Sequence, residues 1–94
     1  MVEWANSLVD SSSIDSLSDD TLSDGLYMLL LIDSLSDAVD WKLGGDDPEE
    51  NCRYCIEVAR FLEVPVFLQW SDITRVNSKM IHLFMVTLKH VLTI

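Results

Sequence analysis

Apolar residues recur at helical spacing in several stretches of this chain, and no segment carries the signal of a β-hairpin. Residues 2–9 place Trp4, Ala5 and Leu8 on one stripe, which predicts a short helix. Residues 21–35 are apolar around more than half of a helical circumference, and residues 78–92 leave few clearly polar positions. Helices of this kind are covered on several sides. Both segments are therefore predicted to be core helices.

The clearest helix start in the sequence is the segment DDPEE. Asp47 is the predicted N-cap, Pro48 suits the first helical position, and Glu50 lies three residues after the cap, as a capping box requires. The helix is predicted to run to about residue 62. Its outward positions Arg53, Glu57 and Arg60 are spaced to form a ladder of ion pairs.

The remaining helix ends are predicted from single residues. Thr21 is the predicted N-cap of the helix over residues 21–35. Ser71 is the predicted N-cap of a single helical turn that follows Ser71. Asn77 or Ser78 caps the last helix. Gly25, inside the first of these helices, costs about 1 kcal/mol relative to alanine, so we expect a neighbouring element to approach it closely.

The segments between the helices are short. Residues 10–20 are rich in serine and aspartate, and we expect them to lie across the core with Ile14 and Leu17 as apolar anchors. Val39 and Trp41 mark a short extended stretch that ends at two glycines. The chain is thus predicted to be all-α, a bundle of about four main helices with short connecting turns, forming one domain over residues 1–94.

Charge is distributed unevenly along the chain. Hydrophobic residues make up 49% of it, enough for a core, yet its net charge is −10. Residues 1–50 carry 13 acids against the single base Lys42, a net −12, whereas residues 51–94 carry a net +2. This balance disfavours binding to nucleic acid or to an anionic membrane surface. The acidic half is either a solvated face or a surface for a partner.

No pattern in the sequence predicts a membrane span or a secretory signal. The longest purely apolar run covers residues 26–32, far short of the ~20 residues a membrane span needs. The N-terminus lacks a basic flank followed by an apolar segment. We therefore expect a cytoplasmic protein.

The two cysteines and two histidines raise the question of a zinc site. Cys52 and Cys55 are three apart, but His82 and His90 are eight apart and far downstream, which does not match the spacing of structural zinc sites. We expect the cysteines to be reduced thiols that pack as small core or boundary residues.

Other binding and catalytic motifs are incomplete. A calcium loop that begins at Asp20 has leucine at two ligand positions, Leu22 and Leu31. No phosphate-binding glycine loop or catalytic dyad is recognisable, so we predict no enzyme activity, no metal, no cofactor and no small-molecule substrate. Serines within residues 11–18 are open to phosphorylation, but no basic cluster lies near them in the sequence, and no switch is predicted.

Several blocks of the sequence are informative as a set: WANSL at residues 4–8, LLLIDSL at 29–35, VDW at 39–41, NCRYCIEVAR at 51–60, VPVF at 64–67, SDITRV at 71–76 and SKM at 78–80. These blocks resemble the calponin-homology domain, and most closely the last such domain of the fimbrin/plastin actin-bundling proteins. They cover nearly the whole chain, and their spacing also agrees. Relative to this family, the first helix is shortened.

The resemblance implies an actin-filament-binding or cross-linking module, the second of a tandem pair, that binds weakly or only with a neighbouring calponin-homology domain. Because first-helix residues contribute actin contacts in this family, it implies Trp4, Asn6 and Leu8 as actin-binding residues, in a cytoskeleton-associated protein. The alternative is a non-catalytic regulatory module that binds another protein and has lost filament binding. Trp4, like Trp41 and Trp70, lies at an element boundary, where it either seals the core or takes part in an interaction surface.

Overall fold

The computed structural model describes residues 1–9, 13–40 and 45–93, and this part of the chain is helical without any strand. The prediction of an all-α bundle is confirmed. Trp41 and the first glycine of the predicted extended stretch lie outside the described residues, as do residues 10–12 of the serine-rich segment. The elements in chain order are α1 (Val2–Leu8), a 3-10 helix (Asp20–Asp24), α2 (Leu26–Leu35), α3 (Pro48–Phe61), α4 (Trp70–Thr74) and α5 (Ser78–Leu92).

The second predicted helix is divided in two, so its predicted start at Thr21 is wrong. Asp19 caps the 3-10 helix, its carboxylate accepting a hydrogen bond from Thr21 N at 2.9 Å. Gly25 follows in the left-handed conformation, with φ of 78°. A left-handed residue cannot continue a right-handed helix. For this reason α2 begins only at Leu26, whose N–H donates to Asp24 Oδ1 at 3.0 Å.

The predicted close approach at Gly25 is confirmed. A β-carbon on Gly25 would lie 2.9 Å from the backbone nitrogen of Cys52 and 3.0 Å from its sulfur. Glycine therefore serves two purposes here, since it permits the positive φ and it allows α3 to pack against the turn before α2.

Helix α3 begins where the sequence predicts, but its surface charges pair differently. The Asp47 carboxylate accepts from Glu49 N at 3.0 Å, which confirms the cap. The reciprocal bond from Glu50 is not formed in the described part of the chain. Arg53 Nε pairs with Glu49 Oε2 at 3.0 Å, one turn towards the N-terminus, so the predicted ladder through Glu57 is wrong.

The last two helices also differ slightly from their predicted starts. Helix α4 begins at Trp70 and not after Ser71, because the Asp72 carboxylate accepts a hydrogen bond from Gln69 N at 2.8 Å. Of the two alternatives for α5, Asn77 is the cap, and its side-chain oxygen accepts from Met80 N at 3.4 Å.

The core lies between α2, α3 and α5. Helix α2 is buried over most of its surface, as predicted, and Ile14 anchors the serine-rich segment with only 2% of its surface exposed. Helix α5 is different. It is a core helix as predicted, with Phe84 and Leu88 buried, but Leu83 and Val86 are 41% and 39% exposed, so one of its apolar sides is uncovered. No helix in the described residues is long and apolar enough to cross a membrane.

Candidate protein-binding surface

Helix α1 lies against α5 through an aromatic ring and a lysine. Trp4 is partly buried at the edge of the core, and Lys89 Nζ lies 5.4 Å from the centroid of its ring. This distance is within the range of a cation–π interaction. Leu8, one turn after Trp4, also packs at the edge of the core. The structure thus places two of the three predicted site residues, Trp4 and Leu8, on one stripe of α1.

Asn6, the third predicted site residue, is engaged inside the chain. Its Nδ2 donates to Ile14 O at 2.9 Å, and its Oδ1 accepts from Ile14 N at 3.0 Å and from the Tyr27 hydroxyl at 2.7 Å. The amide therefore joins α1 to the serine-rich segment and to α2. Burial raises the pKa of Tyr27, so its hydroxyl stays protonated and donates. Sequence reasoning missed these bonds because their partners are distant along the chain.

The outward side of α5 extends this surface. Among the described helices, α5 alone contains no aspartate or glutamate. Its exposed positions combine two apolar side chains with basic and imidazole groups. We call the combined surface the α1–α5 face, and it consists of Trp4, Lys79, His82, Leu83, Val86 and Lys89. Lys79, His82 and Lys89 recur at spacings of three and seven, a signal that the sequence contains but that its apolar neighbours obscure.

A second exposed surface lies on α3. Arg53 Cζ lies 5.0 Å from the ring centroid of Trp70, and with Arg60 it borders a groove of about 350 Å³ whose floor includes Ile56 and Leu68. Because Trp70 and Glu49 both contact Arg53, its guanidinium is held in place beside the groove.

The largest exposed apolar side chains of the described residues lie at the end of α3 and in the connection that follows it. Phe61 is 78% exposed at the end of α3, and Phe67 is 64% exposed in the connection to α4. Exposed aromatic groups of this size are typical of interaction sites.

The cysteines belong to the interior of the protein. Burial raises the pKa of the Cys52 thiol to about 12, with a further contribution from the Asp24 carboxylate. Burial also raises the pKa of Cys55, and the neighbouring Cys52 adds to the shift. Both thiols are free and neutral, and a neutral thiol is a poor nucleophile and a poor metal ligand. The described residues contain no group of three or more histidine, cysteine or acidic side chains that could hold a metal ion.

The fold and its two exposed surfaces define a helical protein-binding module. The family model of the calponin homology (CH) domain matches residues 1–94, and the chain therefore belongs to the calponin homology domain family. Domains of this family are non-catalytic modules that bind actin or other proteins and act in the cytoskeleton. No curated protein matches the chain.

Proposed function

We propose that this chain is an actin-filament-binding module of the fimbrin/plastin type and that the α1–α5 face is its contact surface. Membership of the calponin homology family supports a cytoskeletal binding role. The sequence blocks described above support the closer similarity to fimbrin and plastin. On this proposal, the chain is the second domain of a tandem pair in a cytoplasmic, cytoskeleton-associated protein.

The distribution of acidic and basic residues indicates which surface of the chain contacts the filament. Actin filaments are acidic, and a chain of net charge −10 is repelled by them unless its contact surface lacks acids. The outward side of α5 meets this condition, since it offers Lys79 and Lys89 around the exposed Leu83. This is the observation that carries the proposal. The opposing charge elsewhere is expected to make binding by the isolated domain weak.

The predicted residues of α1 have different parts in this proposal. Trp4 contributes directly, because its ring lies beside Lys89 and continues the surface from α5. Leu8 extends the same stripe. Asn6 supports the surface by holding α1 to the segment around Ile14.

Filament co-sedimentation with charge-reversal variants tests the proposal. We expect the wild-type chain to pellet weakly with filaments, because the net charge of −10 opposes the attraction of the α5 lysines. The variant K79E/K89E should lose pelleting. Its matched control, R60E/R75E, makes the same change in net charge outside the α1–α5 face and should pellet like wild type. Equal loss in both variants, or no pelleting of wild type at high protein excess, contradicts the proposal.

A second function is favoured by a specific observation, the exposed aromatic groups at the end of α3 and in the connection to α4. Phe61 and Phe67 lie outside the α1–α5 face, and two arginines border a groove on α3. This surface supports a regulatory module that binds another protein or a neighbouring calponin-homology domain. The variant F61S/F67S separates the two functions, since it should lose the partner and retain filament binding. Loss of filament binding in this variant, with its fold intact, contradicts the assignment of two separate surfaces.

A further inference from the structure

The structure brings serines of the serine-rich segment next to basic groups of α5. The lining of a groove of about 620 Å³ includes Ser16 and Ser18 from this segment and Lys79 and His82 from α5. All four residues are exposed. No basic cluster lies near these serines in the sequence, but the fold brings Lys79 and His82 to the same groove.

Both sides of the turn that carries the serines are anchored. On one side, Ile14 is buried and bound by the Asn6 amide. On the other side, the Asp19 carboxylate accepts hydrogen bonds from Asp15 N at 2.8 Å and Thr21 N at 2.9 Å. A group attached to this turn is therefore kept beside the groove.

The two serines differ in the availability of their hydroxyl groups. Ser16 Oγ accepts a hydrogen bond from Ser18 N at 3.2 Å. The Ser18 hydroxyl has no hydrogen-bond partner among the described residues. Two aspartates, Asp19 and Asp20, follow Ser18 directly. The negative charge of this segment is complementary to a protein kinase whose substrate groove is basic. The Ser18 hydroxyl is available as the phosphate acceptor.

We propose that Ser18 is a phosphorylation site whose phosphate is received by Lys79 and His82. The modifying enzyme is a kinase that recognises acidic residues after the serine and uses ATP. Ser18 Oγ forms a bond to the γ-phosphorus, and the bond from that phosphorus to the oxygen bridging it to the β-phosphate breaks. ADP leaves, and the hydroxyl proton passes to the base of the kinase.

The chemistry of the groove suits a phosphate on the α5 side. A phosphoserine carries a charge of about −1.5 to −2 at pH 7 and three strong acceptor oxygens. The Lys79 ammonium group and the ring N–H of His82 are donors for those oxygens. Asp15 lines the same groove and repels the phosphate, so it directs the phosphate towards α5.

Phosphorylation would also regulate the α1–α5 face, a consequence that rests on the proposed function. Lys79 and His82 belong to that face, and a phosphate bound to them offsets its positive charge. We therefore expect the phosphorylated chain to bind filaments several-fold more weakly than the unmodified chain.

Phosphorus NMR on the full chain with phosphoserine at position 18 tests the site independently of actin. The second ionisation of the phosphate should occur at lower pH in this chain than in the same chain with K79A/H82A, because positive and donor groups favour the dianion. A chain with phosphoserine at position 34, on α2, is the matched control, and K79A/H82A should not change its titration. Identical titration of the position-18 phosphate with and without Lys79 and His82 overturns the proposal.

Phosphate transfer by an acid-directed serine kinase tests the acceptor. After reaction with ATP, peptide mass spectrometry should find phosphate on Ser18 in wild type and in S16A; phosphate on other serines of the chain with none on Ser18 overturns the assignment. Filament pelleting of the phosphorylated chain then separates the two proposals. If the NMR contact is present while filament binding is unchanged, the filament surface is wrong and the phosphorylation site stands.

Discussion

Gly25 and Cys52 lie so close together that a β-carbon on Gly25 would be 2.9 Å from the Cys52 backbone nitrogen. This contact fixes how the start of α3 packs against the turn before α2. It involves backbone on one side, which cannot move away as a flexible side chain can. The contact therefore links the position of the core helix α2 to that of α3.

Replacing Gly25 with alanine should destabilise the protein by about 2–4 kcal/mol, because the substitution adds strain at a positive φ to a clash with backbone. Urea unfolding measures this free energy. Gly45→Ala is the control, since a β-carbon at Gly45 would meet nothing within 4 Å. That variant should differ from wild type by no more than about 0.5 kcal/mol. Equal effects at the two positions would show that the close approach is unimportant.

Asn6→Ala should lower the free energy of unfolding by about 2–3 kcal/mol, because it leaves the Ile14 backbone groups and the Tyr27 hydroxyl without their partners. The neighbouring Ser7→Ala removes an exposed hydroxyl and should change stability little. Both values can be measured by urea unfolding. If Asn6 only supports the α1–α5 face, the folded fraction of Asn6→Ala binds filaments like wild type; lost binding at unchanged stability would instead indicate direct contact.

The buried thiols make stability depend on pH above neutrality. Cys52 has a folded pKa of about 12 against an ordinary value of 9.0, so the unfolded chain loses this proton first. The stability of the protein should therefore fall as pH rises from about 9 towards 12. Cys55 acts in the same direction, as does Tyr27 at higher pH.

Urea unfolding of wild type and of C52A/C55A, measured at about pH 8 and about pH 10, tests this dependence. These two values lie on either side of the ordinary thiol pKa of 9.0. The double variant should show a weaker decline than wild type. A decline of equal steepness in both would mean that the thiols do not contribute to it.

Substitutions at two adjacent residues of α5 should have different effects on stability and on filament binding. Phe84 is 2% exposed, and Phe84→Ala should cost about 3–5 kcal/mol of stability. Leu83 is 41% exposed, so Leu83→Asp should cost much less while it places an acid in the α1–α5 face. Thermal unfolding and filament pelleting, measured on the same samples, check both effects. A folded Leu83→Asp variant that pellets like wild type would remove Leu83 from the contact surface.

Local features of the sequence predicted several helix ends correctly. Asp47 and Asn77 cap their helices through hydrogen bonds to residues two and three positions away, so the necessary information lies within one turn. Gln69 was missed because Ser71 is the more common type of cap, whereas the start of α4 depends on the carboxylate of Asp72. The sequence also predicts that a neighbouring element approaches Gly25 closely. It does not predict the positive φ of Gly25, because that depends on how α3 packs against this residue.

The candidate surface was less predictable than the fold. Leu83 and Val86 are apolar residues in an apolar helix, and only the arrangement of the other helices decides that this side stays uncovered. The contacts of Asn6 and the groove between Ser18 and Lys79 join segments that are remote in the sequence. Periodicity within one helix contains no information about such contacts.

Oxidative footprinting of the chain bound to actin filaments locates the filament-binding surface directly. Hydroxyl radicals modify exposed side chains, so residues covered by the filament are protected. Trp4, Leu83 and His82 should be protected in the complex relative to the free chain, while the exposed Phe61 and Phe67 should be modified equally in both. Protection of Phe61 and Phe67 with continued modification of Trp4 and Leu83 would contradict the assignment of the α1–α5 face as the filament-binding surface.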